Sequence, residues 1–162
     1  MKILFPAVLL LTALNLAAAP VTYRDASGRI TGTASTNGNI TTYRDASGKI
    51  TGSSVQHGNR ITYRDASGRI TGSANRNGSH TTYRDHHGRI SGAATQNSSN
   101  SITYRDRSGR ITGTATIDDS NRTTCRDAAG KYTGSVSGST DEAINRDAFY
   151  RIGKQDTGSM QK

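Results

Sequence analysis

One eleven-residue phrase, Thr-Tyr-Arg-Asp-Ala-Ser-Gly-Arg-Ile-Thr-Gly, constrains this chain more than any other feature. Six near-copies of it run from Thr22 to Gly134 at a period of 20 to 21 residues. The aromatic anchor recurs at Tyr23, Tyr43, Tyr63, Tyr83 and Tyr104, and Cys125 takes its place in the sixth copy. A fixed period of this length marks a stack or ring of identical supersecondary units.

Within the first copy, Val21 to Asp25 alternates apolar and polar residues and runs into a turn signal at Ala26-Ser27-Gly28. Alternation resumes from Ile30 to Ala34, and Asn37-Gly38 turns the chain into the next copy. Each unit therefore reads as two short strands and two turns. A four-residue loop, Ala26 to Arg29, pairs Asp25 with Ile30, Tyr23 with Gly32 and Val21 with Ala34. It gathers Val21, Tyr23, Ile30, Gly32 and Ala34 on one face and Thr22, Arg24, Thr31 and Thr33 on the other. A three-residue loop would mix the two sets. Tyr23 also suits a position opposite Gly32, where a ring can lie over bare backbone. The aspartates at Asp25, Asp45, Asp65, Asp85, Asp106 and Asp127 sit at the mouths of turns. Their carboxylates suit hydrogen bonds from turn amides two and three residues on.

A lone hairpin is unstable in water, so the copies must pool their apolar faces. Two all-β arrangements do this. One is an antiparallel meander, curled or closed, with tyrosines inside. The other is a β-solenoid that stacks Tyr on Tyr, at the cost of also stacking Arg on Arg. The meander is preferred on that ground. Composition agrees with an all-β chain: no Leu follows Leu16 and no Pro follows Pro20, whereas Thr, Ile and Tyr are frequent. Periodic β-formers also outweigh the scarcity of large apolar residues, which by itself would suggest disorder.

The first nineteen residues follow different rules. Lys2 precedes an apolar run from Ile3 to Leu16, then Ala17, Ala18 and Ala19. That is the pattern of a secretory signal peptide, and the run is shorter than the ~20 residues a bilayer span needs. The expected organisation is a signal peptide at 1–19, a six-copy repeat domain at 20–137, and a degenerate repeat or helical cap with a disordered tail at 138–162. In the last segment Ser139 to Glu142 has capping-box spacing, and Ile144, Ala148, Phe149 and Ile152 share one helical face.

Lys and Arg number 21 against 12 acids, a formal net charge of +9. This balance favours anionic polymers, and the repeat distributes it evenly. The exterior residues Arg24, Thr31, Thr33, Arg44, Thr51, Arg64, Thr71, Arg84, Arg105, Thr112 and Thr114 are therefore the candidate binding surface. No acid, base or nucleophile stands apart from the repeat, so no catalytic or cofactor-binding residue is expected. His57, His80, His86 and His87 show no ligand spacing, so no metal site is expected either. Cys125, alone in an exported chain, would either cross-link two molecules or lie buried and inert at a tyrosine position.

The segment Asp25-Ala26-Ser27-Gly28-Arg29-Ile30, with Asn-Gly ahead of the next Thr-Thr-Tyr, resembles the YD (RHS-type) repeats of bacterial surface and toxin-delivery proteins. The spacing of Gly28 and Gly32 is similar to that of the shorter β-flower repeats. The resemblance covers Thr22 to about Gly134. It departs from the YD pattern where Arg24 separates Tyr23 from Asp25, and six copies are too few for the large YD shells. It implies a β-hairpin scaffold in an exported bacterial protein that touches glycans, and it does not imply an enzyme.

Three readings of function follow. In the first, an exported non-enzymatic module, periplasmic or extracellular, binds an anionic glycan or envelope polymer through its Thr/Arg face, with no specific nucleic-acid partner and no cofactor. In the second, the units self-associate into a curli-like fibre from an open strand edge at Val21. In the third, the Thr-x-Thr pairs form a flat rank suited to ice, although Arg24 shares that face.

Overall fold

The computed structural model describes residues 20–138; the expected signal peptide, cap helix and tail lie outside the described residues. Twelve strands follow one another as six hairpins. They are β1 (Val21–Asp25), β2 (Ile30–Asn37), β3 (Ile40–Asp45), β4 (Ile50–His57), β5 (Arg60–Asp65) and β6 (Ile70–Asn77), then β7 (His80–Asp85), β8 (Ile90–Ser98), β9 (Ser101–Asp106), β10 (Ile111–Ile117), β11 (Thr123–Asp127) and β12 (Tyr132–Ser137). Every strand is antiparallel to its sequence neighbours, and β1 pairs with β12, so the meander closes into a barrel. The solenoid alternative is thereby excluded. So is an open edge at Val21: Thr22 to Asp25 are paired with Gly134 to Ser137.

Interior positions repeat as a triplet taken across the strands. Val21 pairs with Ala34, and Ala34 with Tyr43. The later triplets are Thr41–Ser54–Tyr63, Ile61–Ala74–Tyr83, Thr81–Ala94–Tyr104, Ile102–Ala115–Cys125 and Thr123–Val136–Tyr23. All of these residues are buried except Ile61 and Tyr63, which are half-buried. The tyrosines point inward, as the alternation argument requires, and the Tyr43 hydroxyl is hydrogen-bonded to Ser54 at 2.9 Å. Cys125 occupies the tyrosine position as a buried free thiol, and loss of solvent pushes its pKa up to about 12.

Each triplet advances the pairing by two residues, which gives a stagger of twelve over six repeats, equal to the number of strands. Equal stagger and strand number fix a tilt of about 35° and a backbone radius of about 11 Å.

The hairpin loop is one residue shorter than the sequence suggests. Asp25 N–H donates to the Arg29 carbonyl at 3.0 Å, and Gly28 N–H donates to the Asp25 carbonyl at 3.0 Å. Only Ala26, Ser27 and Gly28 lie in the loop, a type I turn followed by Gly28 at φ +81°. Arg24 then pairs with Ile30, not Asp25 with Ile30. The expected mixing of faces is cancelled one pair later. Tyr23 faces Gly32, so Thr31 has no partner and forms a bulge. The pairs Tyr23–Gly32 and Val21–Ala34 stand as expected, whereas Ile30 moves to the outside and is 42% exposed.

Gly32 also has a reason other than the tyrosine opposite it. A Cβ there would collide with the Arg44 carbonyl of β3, on the other neighbouring strand, and Gly52 meets Arg64 in the same way. Backbone approach, more than ring stacking, excludes a side chain at these positions.

Candidate functional site

The two rims of the barrel differ. At one, six loops from Asp25–Arg29 to Asp127–Lys131 share a single construction. Asp25 Oδ1 accepts the Ser27 amide at 2.9 Å, the Ser27 hydroxyl at 2.6 Å and the Arg29 amide at 3.0 Å. The amides are therefore two and four residues on, not two and three, because the three-residue loop turns the Ser27 and Arg29 amides toward the carboxylate. The Ser27 hydroxyl, followed by the two amides and the charge of Arg29, holds Asp25 below the usual carboxylate range against some loss of solvent. Asp45 is lowered by Ser47 and Lys49 and Asp65 by Ser67 and Arg69 in the same way, and Asp106, which also meets Arg110 Nε at 3.1 Å, reaches about 2. In the fourth copy His87 stands in place of the serine. There partial loss of solvent works against the charge, yet the Arg89 and His87 amides and the two histidines still keep Asp85 low. The aspartates organise loops.

Arginine completes each loop. One Nη1 of Arg24, Arg44, Arg64, Arg84, Arg105 and Arg126 donates to the carbonyl of Gly28, Gly48, Gly68, Gly88, Gly109 and Gly130, at 2.8 to 3.0 Å. A guanidinium carries five N–H groups, so this contact fixes its position while leaving donors for other partners. Neighbouring strands extend the row outward from the loops: Thr22 pairs with Thr33, Thr33 with Arg44, and Arg44 with Ile50. Thr114 lies likewise between Thr103 and Arg126.

The candidate surface thus divides. Arg44, Arg64, Arg84 and Arg105 are exposed and Arg24 half-buried, and all five surround one rim. Thr33 and Thr114 lie in the regular rows. Thr31, Thr51, Thr71 and Thr112 occupy the bulges, and Thr51 Oγ1 donates to the Tyr43 carbonyl at 3.3 Å. A Thr-x-Thr pair with one member in a bulge, on a wall of about 11 Å radius, makes no flat rank. The ice-directed reading has no surface to stand on.

Two further sets share this rim beyond the candidate surface. One, left out of the candidate surface although the Arg24 and Arg29 types together suit anions or neighbouring aspartates, is the second cation of each loop (Arg29, Lys49, Arg69, Arg89, Arg110 and Lys131), every one of them exposed. The other is the exterior isoleucines: Ile30, Ile50, Ile70, Ile90 and Ile111, each 42 to 50% exposed. The Asp-x-x-Gly-Arg spacing carried the first signal; nothing in simple alternation carried the second.

The opposite rim is varied. Two-residue turns such as Gly38-Asn39 join Asn37 to Ile40, with Gly38 at φ +58°. The last connector is different again. Ser120 and Arg122 amides donate to Asp118 Oδ1 at 3.0 and 2.9 Å, and Asn121 adopts φ 56° where the other loops have glycine. His57 and His80 belong to this rim, whereas His86 and His87 touch each other at the loop rim with ring centroids 3.8 Å apart. The four do not converge.

No protein-family model matches the chain, and no curated protein matches it significantly. Five chains of solved structures do. One is an X-ray structure of a protein from Arabidopsis thaliana, with a TM-score of 0.50 and 12% identity over 89% of this chain and 94% of that one. At that identity the likeness concerns the fold.

Proposed function

We propose that this chain is an exported, non-enzymatic β-repeat module, periplasmic or extracellular, that binds an anionic glycan or envelope polymer through its outer surface. The observation that carries this reading is the sixfold array of arginines anchored on loop carbonyls. Each guanidinium is held by one N–H and presented at a regular interval, so a repeating anion meets a repeating set of donors. Individually weak contacts then add through avidity. The resemblance to YD-type repeats supports the same reading, since it implies an exported scaffold that touches glycans. Strand-to-strand fibre growth has lost its starting point, because β12 occupies the edge it requires.

The test is a glycan array on the purified chain, followed by a salt titration of any ligand found and by envelope fractionation. Retention of acidic over neutral glycans, weakening steeply with salt, is the expected result. Binding indifferent to ionic strength, or preferring neutral sugars, would contradict it.

A further inference from the structure

Charge is divided unequally between the two rims. Residues 24–29 and their five equivalents, with Arg107, place thirteen cations and six aspartates at the loop rim, a net of +7. Among the described residues the opposite rim has Arg60, Arg76 and Arg122 against Asp118 and Asp119, a net of +1. One oxygen, Oδ1, of each of the six loop-rim carboxylates also accepts a turn amide and is turned into its loop. Immediately behind the cations runs the belt of half-exposed isoleucines, each paired with an arginine of the preceding strand of its hairpin, as Ile50 is with Arg44.

These two features together discriminate between partners. A rod-shaped polyanion laid across the rim would meet the loops beneath it and leave the other cations and every isoleucine without a role. A plane meets all six loops at once. If that plane has anionic headgroups over an apolar layer, cations at the tips and isoleucines one residue behind fall at matching depths. Spanning is not the mode of contact. The strands are 5 to 9 residues long and their outward positions carry Thr, Ser and Arg, whereas a spanning strand needs about 9 to 11 residues and an apolar outer band.

The geometry points to the loop rim as an end-on docking surface for an anionic lipid layer, with the barrel axis along the membrane normal. This rests on the anion-binding part of the reading above, places that binding at the loop rim, and names a lipid layer in place of a glycan or polymer as the partner there.

The experiment is flotation of the full chain with phosphatidylcholine vesicles, with and without phosphatidylglycerol, at low and high salt. Heparin and duplex DNA serve as soluble competitors. Residues 1–19 are common to all variants, so only differences between variants are read, and thermal melts confirm that each is folded. K49Q/R69Q at the loop rim is expected to lower partition onto phosphatidylglycerol vesicles about tenfold, while R60Q/R76Q at the opposite rim leaves it unchanged. I50S/I70S is expected to lower it about fivefold without altering heparin binding. Equal loss from both rims, or no effect of the isoleucine pair, overturns the proposal. Binding to heparin or DNA with no anionic-vesicle preference overturns it too but leaves the anionic-partner reading intact. Failure to bind any of these anions sinks both.

Discussion

The loop rim and the connector rim of this barrel close the same strands by different means. At the loop rim one aspartate, one αL glycine and one arginine make every turn, and the six turns are nearly superimposable in their hydrogen bonds. At the connector rim three turns use a glycine and a short polar partner, the fourth is Ser99-Asn100 with no glycine, and the connectors drift in length and composition from copy to copy. The contrast teaches that hydrogen bonding, more than strand pairing, decides which loops may vary. The connector Asp118–Arg122 sharpens the point. It has taken up the aspartate-centred arrangement at the wrong rim, so the arrangement belongs to the local sequence and not to a place in the barrel.

The interior serves both rims and sets the scale. Tyr104 has no exposure, so Tyr104→Ala should lower the unfolding free energy by about 3–5 kcal/mol in urea titrations. Two residues inserted between Ser67 and Gly68 should cost about 2 kcal/mol, as two backbone hydrogen bonds of the turn are lost. The same insertion between Gly58 and Asn59 should cost only about 0.6 kcal/mol, the entropy of a doubled loop. Equal costs at the two sites would erase the distinction between the rims.

Acid should separate them next. The carboxyls of Asp25, Asp45, Asp65, Asp85 and Asp106 lie below their unfolded value, so their contribution is complete above about pH 4. It fades as pH falls toward about 2, the value for Asp106. Protection from hydrogen exchange should therefore be lost over that interval at Gly48 and Gly68 before it is at Gln56, whose amide donates to the Asn39 carbonyl near the connector rim, and D106N should flatten the acid limb of the stability curve. Smallest of all, Arg44→Lys loses the Nη1 contact to the Gly48 carbonyl and should shift stability by no more than about 0.5 kcal/mol. A larger loss would mean that the arginines hold the loops together rather than merely resting on them.

Much of this was legible before any coordinates. The period, the hairpins, the inward tyrosines and the Tyr23–Gly32 and Val21–Ala34 pairs all follow from alternation, because a side chain's face depends on the parity of its position. Ile30 was misplaced for the same reason. A bulge changes parity locally, and Thr31 carries no residue-type signal that marks it as the unpaired one. Closure was expected as one of two forms of the meander, curled or closed; choosing between them requires six increments of stagger to sum to a value that brings β12 back to β1. The loop arginines at Arg24 and its equivalents were recognised as a surface set, but the isoleucine belt beside them depended on that bulge and could not be seen.

One consequence of the two-residue advance per hairpin reaches beyond the present molecule. Because every copy contributes two strands and two units of stagger, deleting or duplicating a whole copy changes the girth of the cylinder and leaves its pitch alone. Any in-frame loss or gain through unequal recombination between these near-identical stretches would still close, as a narrower or a wider ring. Excising residues 41–60 should accordingly yield a ten-stranded cylinder with the same strand inclination. For this architecture, copy number amounts to a ruler for diameter.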